Sequence, residues 1–377
     1  MNRSRYDKEM KKIILLLCLI PQLTLASYSK PKLIARLMYS DAWNAPDSTW
    51  CFSGEPAIHK DEIYLNCFDE KSGLMGKWGK KGFEIVARAL DEQLFSKPVN
   101  SFGKLSFYEF SEYSIQRSYL VENELQKIEI RNLGPVTEAS DSFLPLTPDS
   151  FFFKTKGEVP QLWIWRNDVV TPFFNPMVAY IFSPRIGLKG EIAFKTRELH
   201  LGEDAPDKLW LYENGWKVVL EDKDSNSSSP WKSFGHLLVV EGNKILTIAN
   251  DGASEKLILV TPQGTQIIAT AGVDLGRFDL FSPKMGGGTI LIRGEDFRGN
   301  KVTYVKDEGP FRSLISQGDI VHTDRGAARV FYHNQDAIFY GSQGIDEKGN
   351  VVLQATLTDA DHPGTLLGVG IIRFNKE

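Results

Sequence analysis

The sequence predicts an all-β protein: a β-propeller of seven four-stranded blades, closed by pairing its N-terminal strand with its C-terminal blade. Three observations predict it. One short strand-turn-strand pattern returns along most of the chain, no long amphipathic helix interrupts it, and a strand near the N-terminus matches the strand that the last repeat lacks.

The hairpin joining third and fourth strands shows the repeat most plainly. Leu74 to Trp78 turns through Gly79 to Gly82 into Phe83 to Ala87, and Lys208 to Tyr212 turns through Glu213, Asn214 and Gly215 into Trp216 to Leu220. Four more copies follow the same form: Arg117 to Val121 with Leu125 to Ile128, Gln161 to Trp165 with Val169 to Thr171, Lys256 to Val260 with Thr265 to Ala269, and Lys301 to Val305 with Phe311 to Ile315. Each sets β-branched or aromatic residues at alternate positions between Asn, Asp or Gly turns, which supply the positive φ that tight hairpins need.

A second strand is expected before each hairpin: Glu62 to Cys67, Ser114 to Gln116, Ser150 to Lys154, Glu191 to Thr196, Lys244 to Ala249 and Thr289 to Arg293, with a seventh at Asn350 to Ala355. Ile63 and Val351 are separated by six intervals averaging about 48 residues, the length of a propeller blade and too long for a leucine-rich or ankyrin unit. The last unit supplies a third strand, Gly368 to Phe374, and then the chain ends. Lys32 to Leu37 (KLIARL) resembles the fourth strands Glu84 to Leu90 (EIVARAL) and Gln266 to Ala271 (QIIATA), so it is the expected outer strand of that blade. Such closure removes the edges that an open array would expose. A β-sandwich built from the same hairpins is the competing arrangement.

Within the repeats, Leu188-Lys189-Gly190-Glu191-Ile192-Ala193-Phe194 with Leu209-Trp210, Asp346 to Leu353 (DEKGNVVL), and Gly318-Asp319 with Thr323-Asp324 stand out. On these segments the chain resembles secreted bacterial β-propeller repeat proteins with tandem Asn-x-x-Gly-x-x-x-Val or Phe repeats. Gly187 and Asp346 stand where that repeat has Asn. The resemblance implies a propeller and export, and brings no settled activity with it.

Arg3, Arg5, Lys11 and Lys12 precede the apolar run Ile13 to Ile20, and Thr24 and Ala26 are placed like a cleavage site, so residues 1–26 read as a signal peptide and 27–377 as a single propeller domain. Retention as an anchor is the alternative, although Pro21 and Gln22 stop the apolar run short of the roughly 20 residues that span a bilayer. No later segment is a membrane-crossing candidate. Periplasmic or cell-surface residence follows as an expectation, and in that setting Cys51 and Cys67, either side of the expected turn at His59 to Asp61, are expected to form a disulfide. The net charge of -4 argues against nucleic acid as the main partner.

The connection Gly318 to Asp336 gathers His322, Asp324, Arg325, Arg329 and His333, and long polar loops on rigid scaffolds often carry function, so it is the expected ligand- or partner-binding site. Its His spacing is not diagnostic of a metal, and no cofactor or metal is expected. Asp41, Asp91, Asp222 with Asp224, Asp274 and Asp319 follow fourth strands, where Asp is expected to cap turn amides. Trp78, Trp163, Trp165 and Trp210 fall on third strands and are expected to pack between blades, leaving Trp43, Trp50 and Trp231 as the aromatic ligand candidates. Asp222 to Pro230 is expected to be a flexible excursion, and Gly286-Gly287-Gly288 a turn between strands. The functional expectation is a monomeric binding scaffold for an envelope protein or glycan, more readily than an enzyme. A hydrolase or lyase using the central funnel is the alternative.

Overall fold

The computed structural model describes residues 27–37, 51 and 55–377, except 91–92, 102–103, 112–113, 123, 131–138, 148–149, 156–160, 175–178, 188–190, 199–204, 213–214, 280–282, 335–336 and 363. The expected leader lies outside these residues, as do Asp41, Asp91, Trp43 and Trp50.

Seven antiparallel sheets follow one another along the chain. The first blade is Ala57–His59, Glu62–Phe68, Gly73–Gly79 and Gly82–Arg88, each strand hydrogen-bonded to the next. The third, fourth and fifth blades repeat this order from inner strands Ala139–Thr147, Ala179–Ile186 and Ser233–Glu241. In the second and sixth blades the inner strand is split, as Leu94–Phe95 with Val99–Ser101 and Arg277–Phe278 with Lys284–Gly286. The seventh blade pairs Phe339–Ile345, Val351–Asp359 and Leu366–Phe374, and its outer strand is Lys32–Leu37. That strand runs antiparallel to Leu366–Phe374, from Lys32 opposite Arg373 to Leu37 opposite Val369, so the ring is closed as the sequence predicts.

Two expectations change. Ser114 to Gln116 is the start of a third strand, Ser114–Val121, and the second strand of that blade is Lys104–Ser111. Its apolar signature is broken by Glu109, which is fully buried yet satisfied by Arg117, Tyr119 and the Leu90 amide. The connection Gly318 to Asp336 is largely a hairpin rather than a loop, Ile320–Thr323 against Gly326–Val330, with Val330 paired onto Leu357. Val321, Ala328 and Val330 are buried beneath it, an alternation that the polar residues of the other face obscure.

The core lies mostly between blades. Met75 and Ala87 of the first blade pack with Phe95, Leu105 and Phe107 of the second, while Ile63 and Trp78 meet Val352 and Ile371 across the closure. Polar ties cross the same boundaries. The fifth residue counted from Glu62, Ser150, Glu191 and Thr289 is Asn66, Lys154, Lys195 and Arg293, and each donates to a carbonyl in the inner strand of the next blade. The acceptors are Phe95, Ile181, Phe234 and Phe339, at 3.4, 3.1, 2.9 and 3.0 Å. The inner strands are bulged or split where these donors arrive, so the second strands satisfy carbonyls that the ladder leaves open.

Glycine is required where neighbouring blades touch near the axis. Gly287 and Gly288, at φ 57° and 73°, form the turn expected of the triple glycine. A Cβ on Gly287 would lie 2.6 Å from the Gly349 amide nitrogen of the next blade. Asp222 to Pro230 is wound into consecutive turns, held by Asn226 N to Asp222 O, Ser225 N to Asp222 Oδ1 and Ser229 N to Asn226 O.

Candidate functional site

The inner strands surround a cavity of about 480 Å³ on the propeller axis. At one level of its wall stand the inner-strand residues Ala57, Val99, Arg185, Val239, Lys284 and Gly344, each paired with the second or third residue of the neighbouring second strand, and Leu144 holds the corresponding register position of the third blade. Arg185 and Lys284 alone carry charge there, on the fourth and sixth blades. Lys97 joins them from the gap in the split inner strand of the second blade, and Glu55 from the segment just before the first inner strand. Lys97 Nζ is 3.0 Å from Glu55 Oε1, and Lys284 Nζ is 3.7 Å from Glu55 Oε2.

Three cations thus act on one carboxylate. Burial alone would raise the Glu55 carboxyl, but Lys284, Lys97 and Arg185 together hold it below its ordinary value. Burial pushes the Lys284 amine down, Glu55 opposes this, and repulsion from Arg185 and Lys97 adds to it. Both groups keep access to the cavity, with side chains 30% and 25% exposed. The rest of the wall is mixed, with Pro56, Val99, Pro184, Ile186, Val239 and Met285 apolar and Asn66, Ser96, Asn100, Tyr108 and Gln343 polar. Such a site can hold an anionic group beside an apolar one.

The residues predicted from the polar segment are spread over the seventh-blade hairpin and do not line this cavity. His322 is exposed and Arg329 half-buried, and with Ile320 they share the hairpin face opposite Val321 and Ala328. Arg329 Nη1 donates to Gly318 O at 3.1 Å. Asp324, in the hairpin turn, accepts from Arg36 Nε and Nη2 at 3.0 and 3.1 Å, while Arg36 Nη1 donates to Leu367 O at 2.7 Å. It therefore fastens the closing strand. Arg325 is exposed beside it, its amide bonded to Thr323 Oγ1, and half-buried His333 lies past the second strand of the hairpin. The structure brings His322 and Arg329 onto one face and gives Asp324 a structural partner.

Other expectations resolve locally. Asp222, Asp274 and Asp319 accept from the amides of Ser225, Thr270 and Ser316, as turn caps. Trp231 is buried against Phe234 and Leu238, which removes it as a ligand candidate. Trp78 and Trp165 are buried, and Trp210 packs against Phe174 and Phe194, which Trp216 also contacts. Cys51 and Cys67 form a disulfide with Cα atoms 4.2 Å apart. Among the described residues, no group of three or more His, Cys, Asp or Glu could hold a metal ion.

The cavity cations were missed because they stand singly in the sequence. One signal could have found them: Phe182 to Gly187 reads FSPRIG and Phe281 to Gly286 reads FSPKMG, with the cation after proline in both. Leu94 to Val99 (LFSKPV) is a third, looser copy, carrying Lys97.

No family model matches the chain, and no curated protein matches it either. Among solved structures it is similar to a puromycin-hydrolyzing peptidase of Mycobacterium tuberculosis, at 10% identity with a TM-score of 0.52, covering 84% of this chain and 52% of that one. It is also similar to a structure from a study of two prolyl endopeptidases, at 11% identity and a TM-score of 0.50, covering 84% and 48%. The β-propeller domain of the Trilobed protease from Pyrococcus furiosus matches at 12% identity and a TM-score of 0.41, over 71% of this chain and 99% of that one. The chain spans about half the length of the first two proteins. At these identities the likeness is one of fold: a seven-bladed propeller resembling the propeller domains of peptidases.

Proposed function

We propose that this protein is an exported recognition propeller, a binding scaffold for a partner of the cell envelope, with the axial cavity as its recognition site. The observation that carries this reading is the convergence of Glu55, Lys97, Arg185 and Lys284, contributed by four blades, on one cavity of about 480 Å³. A cavity of this size, with apolar stretches and convergent charged groups, has the form of a small-ligand site, and a closed ring holds its wall rigidly. Export is supported by the leader-like residues 1–26, by the disulfide and by the repeat segments that resemble secreted propellers. The outer face bearing His322 and Arg329 is a second, shallower contact surface on the same reading.

The test is capture from envelope extract, alongside a glycan array, with the wild-type chain and the double variant Arg185→Met, Lys284→Met. A partner or glycan retained by the wild type and lost by the double variant is the expected result. Equal retention by both would place recognition away from the axis and overturn the assignment.

A further inference from the structure

Building on that reading, we propose that the axial cavity receives the C-terminal carboxylate of a short peptide, and that Glu55 is a resident carboxylate which the ligand displaces. The charge arrangement is the first reason. The sequences FSPRIG and FSPKMG place Arg185 and Lys284 at equivalent register positions, opposite Ala193 and Leu291, where the other five blades carry uncharged residues. Lys97 adds a third cation, and Glu55 is the acid that reaches this group, 3.0 Å from Lys97 and 3.7 Å from Lys284. Of the other acids on the wall, Asp346 is held by the Lys348 and Asn350 amides and the Asn350 side chain. Glu241 and Glu347 lie at the hairpin-turn end of their blades, beyond the level of Arg185 and Lys284.

The occupied geometry describes its own ligand. Glu55 shows that a carboxylate fits between Lys97 and Lys284, and an entering carboxylate would also meet the charge of Arg185, whose Nη1 donates to Pro184 O at 3.2 Å. The walls decide between sources of that carboxylate. Pro56, Val99, Pro184, Ile186, Val239 and Met285 form an apolar stretch on which an acidic sugar would bury hydroxyls without partners, at a cost. Asn66, Asn100 and Gln343 on the same wall each keep a buried side-chain polar atom without a partner that can bond a peptide group. An apolar C-terminal side chain beside its own carboxylate meets no such cost. The volume suits the end of a chain rather than a folded surface.

The experiment uses the full chain with a randomised pool of N-acetylated tripeptides, offered as free acids or as C-terminal amides and read by native mass spectrometry at low salt. Free acids are expected to bind about tenfold or more above amides, as a charge-assisted contact requires. Glu55→Gln should raise occupancy by the acids several-fold, because the internal competitor is gone, whereas Lys284→Met should lower it about tenfold with the thermal transition retained. Equal binding of acids and amides, or no gain in Glu55→Gln, overturns the proposal. Retention of trigalacturonate with no tripeptide bound overturns the peptide assignment while leaving axial recognition standing. Absence of tripeptide binding beside an envelope partner that depends on Arg185 and Lys284 does the same. A partner indifferent to both residues brings down the broader reading instead.

Discussion

Lys195 and Asp207 are both fully buried, 3.1 Å apart, in the fourth blade. Lys195 also donates to Phe234 O in the next blade and lies over the Phe182 ring. Burial brings its amine down to about 8, against the opposing pull of Asp207. Burial would raise the Asp207 carboxyl, but Arg197, Lys195 and the Phe234 amide hold it below its ordinary value. Removing the acid leaves a buried cation without its counter-charge, so Asp207→Asn is expected to cost about 3 to 5 kcal/mol. Lys195→Met removes the cation itself, leaves Asp207 paired with Arg197, and should cost only about 1 to 3 kcal/mol for the carbonyl left unpaired. Urea denaturation midpoints compare the two, and a larger loss in Lys195→Met would refute this account of the pair. In the sequence, Lys195 lies in a stretch readable only as a strand. Which buried lysine is a tie and which channel cation is open to a ligand depends on register, and register is a property of paired strands.

The hairpin Ile320–Thr323 with Gly326–Val330 holds a fastening as well as a surface. Arg36, buried in the closing strand, reaches both Leu367 O and Asp324, so the turn of the hairpin grips that strand from the side. The bond to Arg36 holds the Asp324 carboxyl below the ordinary 3.8. Its folded value is depressed, so its contribution is fully present above pH 3.8 and is lost as the pH falls through the lower, folded value. Protection of the Lys32–Leu37 amides, taken relative to their intrinsic exchange at each pH, should therefore fall at acid pH in the wild type, and in Asp324→Asn be low already near neutrality. An exchange rate in the variant that matches the wild type at neutral pH would remove Asp324 from the closure. The polar segment was legible as unusual, yet its meaning was not. Asp324 looks like a site residue until Arg36, far away in the sequence, is seen beside it. Ser114 misled in the same way, since a buried Glu109 hid the second strand that precedes it.

Across the whole molecule, the repeat was legible because its hairpins are local: turn residues and alternating side chains lie within a dozen positions of one another. Closure was legible too, from the likeness of KLIARL to the other outer strands. The axial site was not, because its residues come from four blades and meet only when the ring forms. Deleting residues 27–40 should strip the outer strand from the seventh blade, expose the edge of Leu366–Phe374, and markedly lower the melting transition of the entire ring. A transition equal to that of the full chain would show that closure contributes nothing.

The pairing of Lys32 with Arg373 is also a statement about time. Every blade before the seventh is assembled from strands adjacent in the chain, whereas the seventh must recover a strand left behind at the start. That contact closes the longest loop in the molecule, so its entropic cost is met after the local hairpins have formed. Until then the axis is a wall with a gap in it. The cations that surround the cavity come from blades that meet only in the closed ring, so the binding proposed for them is a property of the whole chain and of no part of it.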